Sequence, residues 1–178
     1  FIARLATHDA VFLGETHLDD MTHRVELAVL EGLIREKKGK VVLSLEMFER
    51  DVQPAIDAWQ KGEITEAEFL QRSRPWGNYV EDYRPLLLCA KQNGVPIVAA
   101  NFPAMLRRKL GMGGKDAVAK LSEQERAFMP DPILPASEAY WQRVERATRG
   151  HMGSGGQTAE ERLYDGQNLW DNAMGDAV

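Results

Sequence analysis

Cysteine is almost absent from this chain. The single thiol, Cys89, excludes an intrachain disulfide framework, and its apolar surroundings in the sequence read as an inert buried thiol rather than a nucleophile. Basic charge is also scarce. Only 22 lysines and arginines face 27 aspartates and glutamates, a formal net charge of -5. That balance speaks against a nucleic-acid partner, because phosphate binding draws on a clustered basic surface. No apolar run approaches the roughly 18–20 residues of a membrane span. The familiar catalytic signatures are missing as well: no P-loop, no Gly-x-Gly-x-x-Gly, no His-Glu-x-x-His and no Gly-x-Ser-x-Gly. There is no internal repeat and no low-complexity tract. The chain opens on Phe1 without a methionine or signal peptide, and a helical pattern runs to Val178 with no stop signal. Further sequence is therefore expected at both ends.

What is present fits one α/β domain over residues 1–178, with a sizeable core. Three apolar runs read as strands: Ala10–Leu13, Val41–Leu45 and Pro96–Ala100. Each ends in polar residues suited to binding or catalysis, namely Glu15 and His17 after Gly14, then Glu46, then Asn101. Ligands of open α/β sheets bind at the carboxyl ends of parallel strands. The pattern thus predicts a mainly parallel central sheet flanked by helices, with these four residues on one cleft. Between the runs, His23, Leu27, Leu30 and Ile34 mark one face of a helix over Thr22–Lys37, capped by Asp19 or Asp20. Thr65 with Glu68 has capping-box spacing for a helix to Arg74. Beyond Asn101 the chain is mostly helical. Breaks are expected at Gly111–Gly114, at the Pro130–Pro135 stretch and at Gly150–Gly156, and a last helix is expected from Thr158 towards Ala177.

Several side chains have both a structural and a chemical reading. His17, two residues from Glu15, can ligate a metal, carry a proton or touch a cofactor. The bland alternative is a loop hydrogen bond. His23 extends the apolar stripe of its helix, and at a helix N-terminus it is expected to be less basic than usual. Glu46 closes an apolar run, where a carboxylate needs a partner. Gln167 is polar on an otherwise apolar face with Asp171 one turn on, which suits either an interhelix bond or a site. Arg107 and Arg108 can bind an anion or simply be solvated, and Trp76, Tyr79, Tyr83 and Tyr140 read mainly as core or loop anchors.

Taken in order, Val11–His17, Leu45–Glu49, Trp76–Tyr79, Val98–Pro103 and the helix with Gln167, Asp171 and Met174 resemble the ChaN-like family of haem-binding proteins, within the EreA/Tiki superfamily. The resemblance is collinear and spans nearly the whole chain. It implies a haem-binding protein of bacterial iron acquisition, exported as a periplasmic or outer-membrane lipoprotein whose lipid anchor lies outside these residues. It also implies paired haems between two subunits of a homodimer. A tyrosine is the expected iron ligand, with Tyr140 or Tyr164 the candidates. His17 and His23 would line the pocket with Asn101, Gln167 and Asp171, while Arg107 faces the propionates. The superfamily's enzymes imply an alternative, a metal-dependent peptidase or esterase. There Glu15 or Glu46 serves as general base and His17 as ligand of a divalent metal or as proton carrier. The family pattern continues past the last helix to a second histidine-bearing element that these residues do not include.

Overall fold

One short turn of helix, α1 (Ile2–Leu5), leads through an irregular stretch to a long helix, α2 (Asp20–Glu36), in the computed structural model, which describes residues 1–147, 158 and 161–178. The Asp19 carboxylate caps α2 by accepting the Met21 N–H at 3.0 Å. His23, Leu30 and Ile34 are buried and Leu27 packs against the same core, so the expected helical stripe is the inner face. Gly32 lets α1 approach: a Cβ there would lie 2.8 Å from the Ile2 side chain.

Two strands follow, β1 (Leu43–Glu49) and β2 (Ile97–Asn101), paired in a parallel sheet. The fold is α/β, but the first expected strand does not form. Ala10–Leu13 joins no ladder, and Phe12 and Leu13 are 79% and 42% exposed. A short apolar run becomes a strand only when a neighbouring edge accepts its backbone. The expected β-α-β unit at the start of the chain is therefore absent. A second correction concerns Glu46. It lies inside β1 rather than after it, because the strand continues to Glu49.

Between the strands the chain makes a 3-10 turn (Arg50–Val52), then α3 (Gln53–Gln60), α4 (Glu66–Ser73), a π turn (Tyr79–Tyr83) and α5 (Arg84–Gln92). The capping box of Thr65 and Glu68 is present in full, and Pro85 sits in the first turn of α5, where its missing N–H costs nothing. Phe48, Ile56, Phe69, Leu87 and Ile97 fill the centre of this core. Helix α3 also closes the outer edge of β2. Gln53 donates to the Ile97 carbonyl at 2.8 Å and accepts the Ala99 N–H at 2.7 Å. Gln60, seven positions on and hence on the same helix face, donates to the Val95 carbonyl at 2.9 Å and accepts the Ile97 N–H at 3.1 Å. Two side-chain amides thus take the place of a neighbouring strand.

Residues 1–100, together with Val178, form one compact unit, and residues 101–177 form another. The second contains α6 (Ala104–Ala119), α7 (Glu123–Arg126), α8 (Glu138–Ala147) and α9 (Gly166–Asp176) around Phe102, Leu106, Leu110, Leu121 and Leu169. The expected glycine break narrows to one residue, Gly114, whose φ of 50° and ψ of -139° kink α6. The last helix starts later than expected. Thr158 caps a separate turn by accepting the Glu161 N–H at 3.2 Å, and Asp165 caps α9 itself. The expected break at Gly150–Gly156 lies outside the described residues. Among the described residues no helix is long and apolar enough to cross a membrane.

The edge closure by α3 is testable. Gln53→Leu keeps the bulk but strands the Ala99 N–H and the Ile97 carbonyl, and each stranded group costs about 1–3 kcal/mol. Denaturant unfolding of the variant should show a loss of about 2–4 kcal/mol. A loss within error of zero would mean that the amide pairing carries no weight.

Candidate functional site

In the first unit, polar side chains gather where the irregular stretch meets α2 and the π turn. Glu15 is the centre. Its Oε1 accepts a short hydrogen bond from the Tyr83 hydroxyl and lies 2.5 Å from His17 Nδ1. Its Oε2 faces His23 Nδ1 at 3.6 Å. Glu26, one turn along α2 from His23, places its Oε2 3.1 Å from the same nitrogen. The other ring nitrogen of His23, Nε2, lies 3.1 Å from the His17 carbonyl oxygen and 3.7 Å from Asp82. That carbonyl also accepts from Asn78 at 2.6 Å, so the turn carrying Glu15 and His17 is tied to both α2 and the π turn. The His17 ring is about half exposed and stands edge-on to Trp76, whereas His23 is buried edge-on to Tyr83.

Electrostatics follow from this crowding. Burial raises the Glu15 pKa, but the hydrogen bonds from Tyr83 and His17 outweigh it, and the net shift is downward. Glu26 goes the other way. Burial and then the adjacent Glu15 charge push it up to about 7. Burial also lifts the Tyr83 phenol well above its ordinary value, reinforced by Glu15 and, among other charges, Glu46. His23 departs from the expectation of reduced basicity. Burial works against its cation, yet the His17 carbonyl, Glu26, Glu15 and Asp82 together raise its pKa. The helix N-terminus is outweighed by three carboxylates. Glu15, His23 and Glu26 also offer one ligand atom each within 4.8 Å of one another, the spacing of a metal-binding triad.

Glu46 is half-buried on β1, and its charge reaches the Tyr83 phenol of this cluster. Asn101 is buried at the end of β2, and its side-chain oxygen accepts the Phe102 N–H at 2.8 Å. In the second unit, the Tyr140 hydroxyl donates to Asp171 in a short hydrogen bond, and Gln167 donates to the other oxygen of Asp171 at 3.1 Å. Gln167 therefore supports a bridge between α8 and α9. Burial and Asp171 drive the Tyr140 phenol pKa well up. Arg107 stacks over Trp170 at 3.9 Å. Tyr164 is half-buried in the wall of a groove of about 420 Å³, shared with Val118, Leu121, Met129, Ile133, Leu163 and Arg126.

Sequence reasoning singled out Glu15, His17 and His23 but missed Glu26 and Tyr83. Glu26 was detectable: it stands three residues after His23, the spacing that puts two helix side chains side by side. Tyr83 looked like a core anchor, and nothing local marks its hydroxyl as a partner of a residue 68 positions away.

The raised pKa of Glu26 gives a signed pH dependence. A carboxyl that holds its proton more tightly when folded loses stability as pH climbs from the unfolded value towards the folded one. Glu26→Gln removes that loss, because the amide stays neutral at every pH. In chelator-treated protein, the melting temperature of Glu26→Gln minus that of wild type should rise between about pH 5 and pH 7, then level off. A relative gain of about 2–4 °C is expected for each kcal/mol in a chain of this size. A difference that stays constant with pH would count against the shift.

Comparison with known proteins adds the last observation. No curated protein and no solved structure matches the chain significantly. One family model does match, over residues 1–178, with the description "Haem-binding uptake, Tiki superfamily, ChaN". With a match over its whole length, this α/β chain with its Gly14-Glu15-Thr16-His17 turn belongs to the ChaN family of the Tiki superfamily.

Proposed function

We propose that the protein binds haem, as an exported component of bacterial haem or iron acquisition. The carrying observation is the family match over all 178 residues. The groove in the second unit supports it chemically. Its volume is about 420 Å³, and its walls mix apolar side chains with the Tyr164 phenol and the charged Arg126 and Asp131. A flat, largely apolar macrocycle needs such a lining, an axial ligand and a cation for its carboxylates. Tyr164 and Arg126 offer the last two. Arg126 spends two N–H groups on the Leu121 and Ala119 carbonyls, each at 3.1 Å, and a guanidinium carries five. Three remain for a propionate.

The same chemistry ranks the two candidate tyrosines. An iron-ligating phenol must give up its proton, and Asp171 holds the proton of Tyr140 in place. Tyr164 is therefore the ligand in this reading, and Tyr140 a packing and hydrogen-bonding residue. When bound, haem supplies the iron centre. The chain's part is to exclude water from the macrocycle, to present one phenol oxygen and to neutralise a carboxylate. In this reading export, a lipid anchor outside these residues and pairing of subunits belong to the full protein.

A second reading, a hydrolase of the Tiki or EreA type, draws support from the 2.5 Å contact of Glu15 and His17. A carboxylate and an imidazole in direct contact, one of them half exposed, can exchange a proton with a bound water.

Haemin titration separates these readings. Wild-type protein should give a saturable, high-spin ferric spectrum with the charge-transfer band of a tyrosinate ligand. Tyr164→Phe should lose that band, Tyr140→Phe should keep it, and Arg126→Ala should weaken binding by about tenfold, the worth of one charge-assisted hydrogen bond. Only the spectrum of free, aggregated haem would overturn the leading reading. Loss of the band in Tyr140→Phe instead would overturn the choice of Tyr164.

A further inference from the structure

The first unit holds a convergence that neither reading uses. The Nε2 atom of His23 lies against the His17 carbonyl oxygen, which only accepts, so that nitrogen carries the proton. The ring is 3% exposed and is held further by Asp82 at 3.7 Å from the same nitrogen. In the neutral ring, Nδ1 is then a bare lone pair. It points at Glu26 Oε2 at 3.1 Å and Glu15 Oε2 at 3.6 Å, two oxygens that also accept when ionised. A hydrogen bond also joins the Glu15 and Glu26 carboxyls, so these converging atoms share a proton where a cation can take its place.

The rest of the cluster shows the orientation expected around a ligand set. Metal-bound histidines donate their second nitrogen to a carbonyl or carboxylate, which fixes the tautomer and the ring. His23 does so. Glu15 is divided in the same sense: Oε1 is taken by the Tyr83 hydroxyl and by His17 Nδ1, while Oε2 is left facing His23. The Glu15 and Glu26 side chains are 15% and 11% exposed, against 3% for His23, so the carboxylate side is the one open to solvent.

We propose that Glu15 Oε2, His23 Nδ1 and Glu26 Oε2 bind a divalent first-row transition ion. One imidazole and two carboxylates fit zinc, and three protein ligands leave its fourth position open to water. His17 is not a ligand here. It orients Glu15 from the solvent side through the other carboxylate oxygen. The site goes beyond haem binding, and it differs from the hydrolase alternative, in which the metal falls on His17.

The test uses the full chain, freed of metal by chelator and titrated with Co²⁺ alone, then with Zn²⁺ as competitor. Saturation at one Co²⁺ per chain is expected, with visible absorption bands that vanish as Zn²⁺ displaces it. Glu26→Gln and Glu15→Gln should each weaken Co²⁺ by more than about tenfold, since even residues that only support ligands cost about 10–100-fold. The exposed control Glu63→Gln should bind like wild type, and His17→Ala should keep the stoichiometry. Thermal melts check that each variant folds, and either glutamine variant suffices if the other does not fold. Three results would overturn the site: no saturable Co²⁺ uptake, wild-type affinity in a folded Glu26→Gln or Glu15→Gln, or equal weakening in Glu63→Gln. A proton rather than a metal would then fill the cluster, visible by NMR as two ring N–H signals on His23. Haemin binding is measured separately, so failure of one proposal leaves the other intact.

Discussion

The arrangement of the first unit depends on one carbonyl oxygen, that of His17. It receives His23 from α2 and Asn78 from the edge of the π turn. Those two bonds settle where a short polar turn can sit, although the turn belongs to neither strand nor helix. They also settle which face of the buried imidazole is occupied, and so which atom is presented to Glu15 and Glu26. A backbone oxygen with two lone pairs is well suited to this, since both can be filled by donors from different elements. Among the groups that raise the His23 pKa against its burial, that carbonyl comes first, ahead of Glu26, Glu15 and Asp82.

Much of the helical framework was legible in the residues. The α2 stripe, the Thr65 capping box and the glycine in α6 each have a local physical cause, and local causes can be read in order. Strand pairing is different. Val41–Leu45 and Pro96–Ala100 pointed to real strands, yet the equally apolar Ala10–Leu13 has no partner, and nothing in its own four residues reveals that. The site divides in the same way. Glu15, His17 and His23 stood out because a glycine, a turn and a helix start adjoin them. Tyr83 did not, because its role is set by a contact across the unit.

The two units treat their acidic groups in contrasting ways. In the second, Asp171 is answered by a phenol and an amide, and the cluster is complete in itself. Such a group fixes helices α8 and α9 and has little left to offer a ligand, which is why the groove beside Tyr164 is chemically freer than the surroundings of Tyr140. In the first, burial and then the neighbouring Glu15 charge push the Glu26 pKa up to about 7. Charge that is balanced only when a proton or cation is supplied is the usual condition of a site rather than of a scaffold.

The glutamine pair on α3 has a consequence for how the sheet can grow. An open strand edge is a template, and exposed edges recruit other extended chains into mixed ladders and fibrils. Gln53 and Gln60 occupy the outer hydrogen-bonding groups of β2 with side chains that cannot propagate a ladder, since an amide ends where a strand would continue. Lateral growth past β2 is thereby blocked, much as a filament stops at a capped tip: a strand from this protein or another finds those backbone groups already taken.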